Sequence, residues 1–259
     1  MSTEISNKRN DSSPDGVTWG PWSAVIVVVV VFLVAQLVAS YVVIAAHAWF
    51  WGKTNVTNWL NSSILAQFLY VLIAEVLTVS MVVWFIRWRK GSIKSIGLRK
   101  ANWEDVPWAI IGYVGYLVIY IVVVGVLSGA IKSLNVNQSQ QLGFSETTTG
   151  WALVPIFISL VLLPAVAEEF LFRGFLFSGL KKSMPVIWAA VLTSLIFASP
   201  HLLESNGGGL LWIAGIDTFV LSLVLCWLRQ KTKRLYAGMG VHALKNAIAF
   251  ISLFLLHVH

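Results

Sequence analysis

Seven stretches of about 20 apolar residues, separated by short polar connections, decide what this chain can fold into. As a helix rising about 1.5 Å per residue, such a run matches the ~30 Å hydrocarbon layer of a bilayer. In hydrocarbon every backbone N–H and C=O must be satisfied within the protein, and runs of this length without period-two alternation do so as helices rather than barrel strands. The runs cover approximately Trp22–Trp49, Leu60–Phe85, Trp108–Ala130, Trp151–Phe177, Val186–Ser199, Leu210–Leu228 and Ala237–Leu256; the fifth is short for a full crossing. The expected fold is all-α, a polytopic transmembrane helix bundle of about seven spans. Only 11% of the 259 residues are charged, against about 25% in a soluble domain, so no sizeable soluble part is expected.

The basic residues orient this bundle. Counting Arg173, near the end of the fourth run, with the connection it leads into, fifteen Lys and Arg fall in the amino-terminal tail and in the connections after the second, fourth and sixth spans. Only Lys53 and Lys132 lie in the opposite loops, and Lys245 is within the last span. The positive-inside rule then places the amino terminus in the cytoplasm and the carboxyl terminus outside. The net charge of +7 is accounted for by orientation, and no nucleic-acid partner is expected. Trp22, Trp49, Trp84, Trp108 and Trp151 sit near span ends, where interfacial anchors belong. Residues 1–20 read as a disordered polar cytoplasmic tail. The first apolar run is too long for a signal-peptide core and reads as a retained anchor. Residues 21–150 hold the first three spans, and residues 151–256 the remaining four. The single Cys226 excludes an intrachain disulfide or a thiolate cluster, so any metal must be held by His and carboxylates.

Three polar islands interrupt the apolar second half. The first contains Glu168, Glu169 and Arg173. Carboxylates at membrane depth are costly and mark function. Glu169 and Arg173 are four apart on one helix face and can form an ion pair. Glu168 points about 100° away. One carboxylate is thus clamped while the other is free to exchange a proton, as a general base must be. The bland alternative is a buried ion pair that orders the bundle, which leaves Glu168 unexplained. The second island runs from Phe197 through Pro200 to His201; a lone histidine near a span end is more often a hydrogen-bonded residue than a ligand. The third holds His242 and Asn246 on one face of the last span, after Gly238 and Gly240. Both side chains can donate to an oxyanion or bind water or a metal, or simply hydrogen-bond between helices. Glu75 and Asp217 read as acids paired within the bundle.

Together, Glu168-Glu169-x-x-x-Arg173, Phe197-x-x-x-His201 and His242-x-x-x-Asn246 resemble the three motifs of the CPBP family, the CAAX proteases and bacteriocin-processing enzymes also called Abi, which includes the type II CAAX prenyl endopeptidases. The likeness covers about Trp151 to Leu256. It implies an intramembrane endopeptidase in a cell membrane, acting on a membrane-associated or hydrophobic peptide, with roles in peptide or bacteriocin maturation or in self-immunity. By that resemblance Glu168 activates the attacking water, Glu169 and Arg173 hold the first motif in shape, His201 helps bind water or a metal, and His242 and Asn246 polarise the scissile carbonyl. Two mechanisms stay open: a divalent metal such as zinc held by Glu168, His201 and His242, or a metal-independent Glu-activated water. A non-catalytic membrane immunity or peptide-binding protein that retains the motifs is the alternative function. The absence of internal repeats argues against a transporter.

One geometric strain follows from the spacing. Along straight helices His201 lies roughly 24 Å above the start of its span, and His242 only about 9 Å above Tyr236. The two meet only if the last span starts deeper, through distortion at Gly238–Gly240, or if the fifth helix is short and tilted.

Overall fold

The computed structural model describes residues 16–52, 56–138, 140, 143–204 and 209–257. Among the described residues seven helices are long and apolar enough to cross a membrane: α1 (Pro21–Trp51), α2 (Ile64–Trp88), α3 (Asp105–Ala130), α4 (Gly150–Lys181), α5 (Val186–Leu203), α6 (Trp212–Thr232) and α7 (Tyr236–Leu255). Each overlaps its expected run, with ends a few residues away. The protein is a multi-pass membrane protein with an all-helical fold. Most of the tail expected over residues 1–20 lies outside the described residues. Its last part is not a loose tail: Val17 and Trp19 are buried. Trp19 stacks on Phe175 with ring centroids 4.7 Å apart, and its Nε1–H donates to the Phe175 carbonyl at 3.2 Å.

Helices in lipid gain little from burying apolar surface, so they associate through close fit and small residues. In α1 the buried positions Ala24, Val28, Val31, Ala35, Ala39 and Val43 recur every three or four residues. This stripe packs on α2, which Ser63 caps by accepting the Ala66 N–H. Ile26, Leu37 and Tyr41 point outward from α1 as a lipid-facing surface. On the other side, α3 and α5 pack on α6, and α7 packs on α3 and α6.

Helix α4 runs through the middle and touches α1, α2, α5, α6 and α7. All residues from Glu169 to Leu176 are buried. The helix is not regular. It relaxes into π-helical turns at Ile158–Leu162 and Glu169–Leu176, a departure frequent at functional sites. Pro164 contributes to the first: it has no N–H to offer the Leu160 carbonyl four residues earlier.

The basic end of α4 is closed by the α2–α3 connection. A short 3-10 turn at Ile93–Ile96 folds back so that Ile96 is fully buried against Gly174. Arg229 of α6 ties this turn down, donating through Nη2 to the Ser95 carbonyl at 3.1 Å. Lys233 adopts a left-handed conformation between α6 and α7, and Arg234 pairs with Asp105 at the start of α3 at 2.9 Å. The start of α7 is thereby held against that of α3.

Candidate active site

Each polar island is carried by a different part of this frame. Glu168 and Glu169 lie where α4 passes from α-helix into its second π-helical stretch. Helix α5 is α-helical only over Val186–Ala198; the Ser-Pro step then tightens it into a 3-10 turn, Pro200–Leu203, that holds His201. His242 and Asn246 share a face of α7, which is regular through Gly238 and Gly240. The expected unwinding at these glycines is therefore absent. The distortions fall in α4 and at Pro200, with a further π-helical turn in α7 at Ile251–Leu255, beyond Asn246, and the α-helical part of α5 is short.

Gly238 has a different task. A β-carbon there would lie 2.8 Å from Oε2 of Glu169, so hydrogen at this position lets the carboxylate approach the α7 backbone. Gly238→Ala is expected to displace Glu169 and lower kcat by roughly 10²-fold, the scale of a 1 Å misplacement. Gly115→Ala, made where a methyl meets open space, leaves it unchanged. Equal turnover in the two variants would show that the fit at Gly238 is not needed.

The core of the site is fully enclosed. Arg173 Nη1 lies 2.8 Å from Glu169 Oε1, with the two side chains 0% and 1% exposed. The Arg173 guanidinium also sits over the Phe197 ring, 4.1 Å from its centroid. The same ring meets His201 and His242 edge-on, at 5.4 and 6.1 Å. Phe197 thus touches the clamp and both imidazoles, a role its motif position alone did not assign.

His242 bridges the two adjacent carboxylates. Its Nδ1 is 3.3 Å from Glu169 Oε1, and its Nε2 is 3.7 Å from Glu168 Oε2. The simple division into one clamped and one solitary acid is incomplete, because this histidine joins them. Asn246 donates through Nδ2 to the Leu160 carbonyl at 3.0 Å, supplying the donor that Pro164 lacks. One amide hydrogen of Asn246 is thereby engaged and the other remains.

Glu168, His201, His242 and Asn246 all line one cavity of about 200 Å³. Its rim includes Gln140, after α3, and Glu204, after α5, at the end opposite the basic connections. Glu204 accepts from His201 Nδ1 at 3.1 Å and also from the Gln140 side chain. Burial pushes the Glu204 carboxyl up, but the hydrogen bonds from His201 and Gln140 prevail and hold it below its ordinary range. Sequence reasoning missed Glu204; the signal was an acid three residues after a histidine. Gln140, distant along the chain, gave no signal. Asp217 pairs with Lys245 at 2.9 Å and accepts from the Tyr116 hydroxyl on another wall of the cavity.

The metal reading has a specific test in the donor set. Among the described residues no group of three or more His, Cys, Asp or Glu is placed to hold a metal ion. Both nitrogens of His242 face carboxylates, and one nitrogen of His201 faces Glu204. A catalytic zinc takes three protein ligands; of the expected set, Glu168 Oε2 and His242 Nε2 face each other at 3.7 Å.

Known proteins supply the remaining comparison. No curated protein and no solved structure matches the chain. Residues 150–248, from the start of α4 to within α7, match the family described as Type II CAAX prenyl endopeptidase Rce1-like. The match spans all three polar islands and leaves α1–α3 outside it. By it, residues 150–248 are a domain like that of the type II CAAX prenyl endopeptidases, consistent with the CPBP family and with intramembrane endopeptidase activity.

Proposed function

We propose that this protein hydrolyses hydrophobic or membrane-associated peptides within the membrane by a Glu168-activated water. The observation that carries this reading is the meeting of Glu168, His201, His242 and Asn246 on one cavity, although they come from three helices. Glu168 takes a proton from water as the water oxygen attacks the scissile carbonyl carbon. His242, in its doubly protonated form, gives one N–H to Glu169 and the other to the developing oxyanion. The second amide hydrogen of Asn246 joins it. His201 orients the water. When the C–N bond breaks, Glu168 returns the proton to the leaving amine, so the acid ends in its starting state. Glu169 and Arg173 touch no reacting atom in this scheme; they position His242.

Maturation of a secreted peptide or self-immunity against one, at a bacterial cytoplasmic membrane, is the physiological setting proposed. The test is product mass. Purified protein in detergent or nanodiscs is incubated with synthetic hydrophobic peptides, with and without a chelator. Defined cleavage products are expected in both arms. Loss of product in the chelator arm, restored by a divalent ion, would overturn the metal-independent mechanism. Tight peptide binding with no product would replace the peptidase by the binding or immunity protein.

A further inference from the structure

The hydrogen bond between His201 and Glu204 sets which nitrogen of His201 is left to the cavity. An imidazole has two nitrogens, and the partner of one decides what the other can do. His201 Nδ1 lies 3.1 Å from Glu204 Oε2, and that carboxylate is itself held by the Gln140 side chain. A carboxylate accepts hydrogen bonds and gives none. In the neutral ring the proton of His201 therefore belongs on Nδ1, which leaves a lone pair on Nε2. His201 lines the same cavity as Glu168.

We propose that Glu204 is a positioning residue for His201, fixing the tautomer whose Nε2 accepts a hydrogen bond from the attacking water. The inference rests on the peptidase reading and deepens it. With Glu168 accepting one hydrogen of the water and His201 Nε2 accepting the other, the oxygen lone pair is left aimed at the carbonyl carbon. In the opposite tautomer Nε2–H would donate to that lone pair and compete with the attack. No covalent bond is made or broken at Glu204 or His201. In metal-ligating histidines, whose second nitrogen is likewise held by a carboxylate, losing that partner costs about 10–100-fold in affinity or activity, and a loss of the same order is expected here. Gln140 brings the α3–α4 connection into the same chain of contacts, so the loop at the rim of the cavity supports the orientation of a residue inside it.

A purely structural role for Glu204, as an anchor for the rim loop, predicts something different. The separating experiment is a double-mutant cycle on peptide cleavage combined with nitrogen-15 spectra of histidine-labelled full-length protein in nanodiscs. Glu204→Ala is expected to lower kcat by about 10–100-fold with little change in KM. Glu204→Gln, whose amide oxygen still accepts, recovers most of the loss. In a His201→Ala background, Glu204→Ala costs less than about twofold, because its only route to the reaction is already gone. The His201 ring signals, identified by their disappearance in His201→Ala, show a protonated Nδ1 and a bare Nε2 in the parent protein and a mixture in Glu204→Ala. An equal loss from Glu204→Ala with and without His201, or a parent spectrum with the proton on Nε2, would overturn the proposal. If no peptide is cleaved while the spectra change as expected, the tautomer assignment stands and the peptidase reading fails by itself.

Discussion

Glu168→Gln is expected to abolish peptide hydrolysis, with kcat falling by about 10²–10⁴-fold, while the protein reaches the membrane and melts as before. The substitution keeps the size and shape of the side chain and removes only its capacity to take a proton. Glu168 is partly exposed to the cavity, with no Arg or Lys among the described residues paired to it, and its neighbour is His242 Nε2 at 3.7 Å. The fold does not lean on its charge as it does on that of Glu169. Single-turnover rates with thermal melting of the same preparation check both halves. A Glu168→Gln protein that still cleaves would remove the base from the mechanism.

The second large effect is on stability. Arg173→Met leaves the Glu169 carboxylate buried without the guanidinium that lay 2.8 Å from it, and with His242 Nδ1 at 3.3 Å. Breaking a buried pair from one side costs about 3–5 kcal/mol, because the remaining charge has lost its compensation. The Phe197 ring also loses the guanidinium packed over it. Unfolding in mild detergent is expected at clearly lower temperature or denaturant concentration. Glu169→Gln combined with Arg173→Met restores much of that stability, since no unpaired charge is then left, but it does not restore turnover, because His242 has lost the carboxylate at its Nδ1. If the double variant is no more stable than Arg173→Met, uncompensated charge is not the cause of the loss.

Much of this arrangement is legible in the order of residues. The seven spans can be read because a long apolar run has one outcome in a bilayer, whatever it packs against. The Glu169–Arg173 pair can be read because four-residue spacing on a helix is a local property, and it survives in the π-helical stretch. The depth conflict between His201 and His242 is also legible, but its resolution is not. Gly238 suggests a flexible point in the last helix; it instead supplies room for Glu169. The departures from regular helix beside the site lie at Pro200 and in α4, where a missing N–H at Pro164 leaves the Leu160 carbonyl to Asn246. Trp19 belongs by composition to a polar tail, yet its ring finds a place against Phe175.

The amino-acid order alone determined how many helices this protein threads through lipid and which carboxylate has a cation one turn away, because both depend on residues close together in the chain. Only the tertiary structure decided that His242 reaches both acids, that Glu204 and Gln140 stand behind His201, and that Lys245 is matched by Asp217. Those contacts are set by the rotation and depth of each helix relative to its neighbours. Close packing around small residues and buried polar partners fixes these, and apolar patterning along a single span carries no record of either.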